Sequence, residues 1–227
     1  MNILALETST PHASLVLESG NVLLFETDWE TARNHDTSIF PALRDALNVL
    51  GQGVALDLVL VGAGPGSYGG VRVALAAAEG IALVHGARVV ALNSWISLAW
   101  DEDECCIVSD ARRGGWAFGH FRHGMLEDEL RVLSRQDVQA ALVAYSAGPS
   151  LSIESADSLR EKGMTVDHAG LSPTASGLVA AWHGLAAAQQ QELAAKPAEP
   201  IYVRPPHITQ MGKRPWEVNF PSERQIN

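Results

Sequence analysis

The stretch from 61 to 83, VGAGPGSYGGVRVALAAAEGIAL, constrains this chain most. An apolar run from Leu56 to Val61 reads as a short buried strand. Glycines and a proline then punctuate the chain, and a long apolar segment follows. Pro65 fixes one bend, and Gly62, Gly64 and Gly66 allow positive φ or close backbone approach. Ser67 is placed to cap a helix running over 69 to 84. The unit is therefore strand, tight turn, helix.

Gly64, Gly66 and Gly69 match G-x-G-x-x-G. A dinucleotide site also needs an acidic residue about 20 positions on, at the end of the next strand. Val90, Ala91, Leu92 and Asn93 stand there, and the strand before the loop is the fourth in the chain, not the first. A Walker A loop fails as well, because no lysine follows Gly69 or Gly70. Two readings of the loop remain: a tight strand-to-helix turn, or an anion or nucleotide site at the exposed amides. Glu7, Ser9, Gly64, Gly66 and Ser67 are the candidate residues for the second.

The helix says more than the loop. From Val71 to Val84 its only charges are Arg72 and Glu79. Val73, Ala77, Gly80 and Val84 form one stripe, and Leu75, Ala78 and Ala82 another. A helix apolar on nearly all sides is covered on more than one side. One cover is its own sheet; the other is a further element of this chain or, as preferred here, a partner subunit.

Elsewhere the pattern is α/β. Ile3–Leu6, Ser14–Leu17 and Val22–Phe25 read as strands joined by turns, so three antiparallel-type strands precede any helix. Ile39, Ala42, Leu43, Ala46, Leu47 and Leu50 mark a helix over 38 to 50 that ends at Gly51. Val89–Leu92 is a strand, and Ser94 is placed to cap a helix reaching Trp100. Beyond an acidic cluster at 101 to 104 come strands at Cys105–Ser109 and Trp116–Phe121 around the turn ARRGG. Residues 173 to 191 are helical in pattern, and 196 to 200 read as a linker. Two α/β lobes follow, 1–102 and 103–227.

Composition narrows the function. The net charge of -10 over 227 residues excludes a chain that grips nucleic acid by itself, since phosphate needs a basic face. The adjacent Cys105 and Cys106 cannot build a disulfide framework and read as buried thiols. No charge-free run of 18 apolar residues occurs, and Met1 leads straight into a strand with no basic leader; cytoplasm is expected. No two histidines stand four apart, and His120 and His123 fall on opposite faces of a strand-like run, so no metal site is expected. His35 and Asp36 read as an N-terminal helix feature. Asp110, Arg112 and Arg113 form a turn after a strand, placed for a lobe junction or a ligand. Arg204, Lys213 and Arg214 make a basic tail, and Trp216 and Phe220 are placed to pack back on the body.

ILALETST at 3 to 10, NHDTSIFPAL at 34 to 43, the 61–83 stretch, SDARRGGWAFGHF at 109 to 121 and IYVRPP at 201 to 206 together resemble the bacterial TsaB (YeaZ) family. The resemblance implies a two-lobed actin-like fold (ASKHA, ribonuclease H-like), with mixed sheets flanked by helices. It implies a non-catalytic subunit, not itself an enzyme. That subunit pairs with the catalytic subunit TsaD and works with the ATPase TsaE in threonylcarbamoylation of the adenosine beside the tRNA anticodon. It further implies a homodimer when the partner is absent, contact with tRNA only through the complex, and no membrane.

In the family the first two helices make the interface. Here that maps to Ile39, Leu43, Leu47, Val73, Ala74, Ala77, Ala78 and Ile81, and a charge at Ala77 or Ala78 is expected to break the pairing. No cofactor is implied in the isolated chain, and any ATP or ADP belongs at the interface of the complex. Glu7 stands where the family commonly has aspartate, and Gly69 where it has threonine. The alternative is an independent enzyme of the superfamily, metal-dependent and glycoprotease-like or ATP-using.

Overall fold

The computed structural model describes residues 1–31 and 39–204. His35, Asp36, Lys213, Arg214, Trp216 and Phe220 lie outside the described residues.

The first sheet is built from β1 (Asn2–Glu7), β2 (His12–Ser19), β3 (Val22–Glu30), β4 (Leu58–Gly62) and β5 (Arg88–Leu92), in the order β3-β2-β1-β4-β5. β1, β2 and β3 pair antiparallel through tight turns, while β4 and β5 join parallel. The parallel joins need crossovers, and α1 (Ile39–Leu50) and α2 (Tyr68–His85) supply them.

Both faces of this sheet are covered, which explains the continuous apolar character of β1 and β4. Leu4 and Leu6 of β1 point toward α1 and α2. Ile3 and Ala5 point the other way, onto α6 (Ala175–Gly184).

The second sheet holds β6 (Glu104–Asp110), β7 (Gly115–Arg122), β8 (Met125–Leu126), β9 (Arg131–Ser134) and β10 (Ser150–Ser152). Its order is β10-β6-β7-β8, with β9 also on β7. The short α3 (Ile96–Ala99) packs with one face, where Cys105 and Ile107 meet Trp95 and Ala99. α4 (Arg135–Ala144) and α5 (Ala156–Glu161) cover the other through Val138 and Leu159, against Cys106, Val108 and Phe118. The two cysteines are thus buried free thiols on opposite faces of β6. α7 (Ala187–Ala195) completes the described helices. This is the expected arrangement of mixed sheets flanked by helices.

Three local differences from expectation have physical causes. The helical pattern over 173 to 191 breaks into α6 and α7 at Gly184, and Thr174 caps the first by accepting from the Gly177 amide. Ser94 does not cap α3: its hydroxyl accepts from the Gly64 amide at 3.0 Å, tying β5 to the glycine loop. The short elements from β8 to α5 carry too few residues for a periodic signal. The division at residue 102 separates the two sheets in chain order but not in packing. α6, from the second half, lies on the first sheet, and its Ala175 amide donates to Ser14 Oγ at 2.8 Å.

Candidate functional site

The glycine loop is packed against the loop after β1. The Ser67 amide donates to the Ser9 carbonyl at 2.6 Å, and Thr8 Oγ1 donates to the Gly70 carbonyl at 2.8 Å. A Cβ at Gly66 would collide with the Ser9 carbonyl, and one at Gly62 with Glu7 Oε2. These glycines are therefore required by close approach of the chain to itself. Ser67 caps α2 as its position suggests, with its side chain accepting from the Gly70 amide.

Glu7 is fully buried at the end of β1. Its Oε1 accepts from the Ser9 amide at 2.6 Å, and Oε2 has no hydrogen-bond partner among the described residues. Burial pushes this carboxyl above the usual range, and hydrogen bonds from Ser9 and Ser94 only partly oppose it. Its environment holds hydroxyls, amides and Gly62, which stabilise a carboxylate less than water does.

Between the lobes lies a cleft of about 710 Å³. Ser9, Gly66 and Ser67 line it from the first lobe, and Asp110, Arg112 and Glu154 from the second. The structure thus brings together five of the residues singled out for an anion site or lobe junction. Glu7, Gly64 and Arg113 are not among the lining residues. Burial raises the Asp110 carboxyl, but Lys162 Nζ at 2.8 Å and the Arg112 amide at 2.7 Å outweigh it and hold the group below its ordinary value.

A metal-bound nucleotide phosphate does not fit this arrangement. The carboxylate that would face the metal is sealed under Gly62, and the Ser9, Gly64, Ser67 and Gly70 amides already donate within the chain. Glu30, Asp110 and Glu154 further give the cleft more acidic than basic groups. Among the described residues the histidines do not converge either. His120 Nε2 lies 2.9 Å from Glu104 and the ring stacks on Tyr145, while His123 sits in the turn after β7.

The segment IYVR at 201 to 204 straps the two lobes together. The Ile201 amide donates to the Ala63 carbonyl at 2.7 Å, Val203 packs with the second lobe, and the Arg204 guanidinium lies against Gly115. Between them Tyr202 stacks on Tyr68 at the start of α2, with ring centroids 5.0 Å apart.

The outer face of α1 and α2 is the second candidate surface. Phe40, Leu43 and Leu47 of α1 meet Val73, Ala77 and Ile81 of α2 around an apolar groove of about 560 Å³. Ala76 and Gly80 also line it. Beside it, Phe40 is 58% exposed, Leu83 86% and Val84 82%. Single exposed apolar residues are ordinary; a continuous apolar face on two adjacent helices marks an interaction surface.

The set expected from sequence divides here. Leu43, Leu47, Val73, Ala77 and Ile81 border the groove. Ile39, Ala74 and Ala78 do not: they are buried against the sheet in the chain's own core. Phe40, Ala76 and Leu83 are surface residues outside both the expected set and the outer stripe, while Gly80 and Val84 belong to the outer stripe but not to the set. Extending that stripe one residue to each side would have found Ala76 and Leu83.

Comparison with known proteins agrees with this architecture. A family model described as "TsaD: tRNA N6-adenosine threonylcarbamoyltransferase" matches residues 29–199. A Bacillus subtilis protein named tRNA threonylcarbamoyladenosine biosynthesis protein TsaB is 29% identical over 62% of this chain and 63% of its own length. The Escherichia coli protein of the same name is 26% identical over 90% of this chain and 95% of its own. The solved structure of YeaZ from Pseudomonas aeruginosa superposes with a TM-score of 0.70 at 26% identity, covering 88% of this chain and 99% of that one. The chain belongs to the family of that model, and within it to the TsaB/YeaZ group.

Proposed function

We propose that this chain is a non-catalytic docking subunit in the biosynthesis of threonylcarbamoyladenosine in tRNA. It pairs through the α1–α2 face with a TsaD-type catalytic subunit and works with a TsaE-type ATPase. In the absence of that partner it pairs with itself. The observation that carries this reading is the apolar groove flanked by Phe40, Leu83 and Val84, a surface suited to a helical partner and unsuited to lasting exposure. The names of the relatives supply the pathway. The net charge of -10 favours a subunit that meets tRNA through its partner, and any nucleotide is assigned to the assembled complex.

A reconstituted mixture of TsaD, TsaE, ATP, threonylcarbamoyl-adenylate, tRNA and this chain tests the reading. Modification is expected to fall at least tenfold when the chain is omitted, and similarly with Ala77→Glu, which puts a charge on the groove wall. Undiminished modification without the chain would overturn the proposal. Turnover by the purified chain alone, abolished by Glu7→Gln, would favour the independent enzyme instead.

A further inference from the structure

Two carboxylates in the cleft between the lobes, Glu30 and Glu154, pair with no lysine or arginine among the described residues. Glu30, at the end of β3, reaches only His12, at 3.3 Å. Glu154, in the loop before α5, accepts from the Asp110 amide at 3.2 Å. Asp110, by contrast, is matched by Lys162 and Arg112. Beside the carboxylates the cleft has an apolar lining of Pro11, Pro65, Ile153 and Val203.

The strap ends at this cleft. Val203 is part of its lining, and Arg204 lies beside Gly115 at the start of β7. The sequence that follows, 205 to 227, lies outside the described residues. In it Lys213 and Arg214 stand side by side, and Trp216, Val218 and Phe220 alternate with polar residues between Pro215 and Pro221. Alternation of this kind suits an extended segment, in which Arg214 and Trp216 share one side. The linker at 205 to 212 reaches up to about 26–29 Å from Arg204, so the cleft is within its range.

We infer that the segment 213–220 docks back into the cleft, with Lys213 and Arg214 against Glu30 and Glu154 and Trp216 against the apolar lining. Two other surfaces match the segment less well. The α1–α2 groove has no charged residue in its lining and offers the two cations nothing. The acidic run at 101 to 104 faces Arg122, at the far end of β7 from Gly115, ~23 Å along the strand. Its apolar surroundings are limited to Ala147 and Pro149. Only the cleft joins unmatched carboxylates, an apolar wall and the root of the segment. A cleft neutralised by the chain's own cations also accords with its poor fit to a metal-bound phosphate. The inference stands independently of the docking-subunit reading.

Carbodiimide coupling of the full chain tests the contact, because it joins an amine to a carboxylate that touches it. Lysine occurs only at 162, 196 and 213, so links from Lys213 are readily assigned by mass spectrometry. In an equal mixture of unlabelled and isotope-labelled chains at low salt, links from Lys213 to Glu30 or Glu154 are expected within one chain. Chymotrypsin cleavage after Trp216 gives a second readout. It is expected to quicken about threefold or more with Glu30→Lys, and likewise with Lys213→Glu combined with Arg214→Glu. Joining all three substitutions is expected to return the rate toward that of the unaltered chain, and added salt to shrink the differences. A free peptide of the same segment corrects for the protease's own preference, and thermal unfolding checks that each variant folds. Absence of a Lys213 link, links confined to residues 101–104, or links only between chains overturn the inference. So do cleavage rates that neither reversal changes, and a triple variant cut as fast as the separate reversals.

Discussion

Glu7 concentrates the residue-scale chemistry of the first lobe. A carboxyl buried under Gly62 and Ser94, with no cation beside it among the described residues, is shifted toward the neutral acid. Its native pKa lies above the ordinary value, so the unfolded chain gives up this proton at a lower pH than the folded one. The contribution to stability is whole below the ordinary value of 4.5 and is lost as pH rises from there toward the raised native value. The loss approaches about 1.4 kcal/mol per pH unit across that window. Glu7→Gln keeps the shape and removes the titration. It is expected to raise the unfolding midpoint at neutral pH and to flatten the decline above pH 5. Urea titrations of both proteins between pH 5 and 8 would show it. A Gln variant less stable than Glu7 at every pH would mean that the carboxyl is ionised in the fold.

At the scale of the element, α2 has two apolar sides that differ in what covers them. Ala74, Leu75, Ala78 and Ala82 meet the sheet, while Val73, Ala76, Ala77 and Gly80 line or border the open groove. The adjacent alanines Ala77 and Ala78 therefore separate pairing from folding. Ala78→Glu forces a carboxylate into the sheet contact and is expected to cost several kcal/mol, enough to unfold a marginal domain. Ala77→Glu is expected to change monomer stability by less than about 1 kcal/mol while abolishing pairing. Circular dichroism melts with light scattering on the same samples distinguish the two. Equal destabilisation by both would show that the groove is closed in the folded chain. The helix itself was legible from its apolar run and its serine cap. Which alanine faces which side was not, because a helix apolar on nearly every side has no polar stripe to fix its rotation.

For the whole molecule, the telling contact is between the opening strands and segments far along the chain. α6 closes the second face of the first sheet, with Leu178, Val179 and Trp182 against Ile3, Ala5 and Val90. The strap at 201 to 204 then binds the glycine loop and both lobes. The lobes are therefore coupled in stability. Trp182→Ala is expected to cost about 3–5 kcal/mol and to loosen β1 and β4, which lie more than 100 positions away in sequence. Hydrogen exchange would detect faster opening in those strands. Loss of protection confined to α6 and α7 would show that the first lobe stands without its cover.

The sequence by itself determined the elements with strong local signals: the opening strands, α1, the strand-loop-helix unit, the Ser67 cap and the buried cysteines. It also ruled out a dinucleotide loop, because the acid that loop requires is missing. Only the tertiary structure decided that Glu7 is sealed away from the cleft, that the Ser9, Gly64, Ser67 and Gly70 amides donate to oxygens of the chain itself, and that Ile39, Ala74 and Ala78 belong to the core. Each of these depends on segments distant in sequence coming within contact distance. Periodicity reports the faces of a single element and carries no record of what those faces meet.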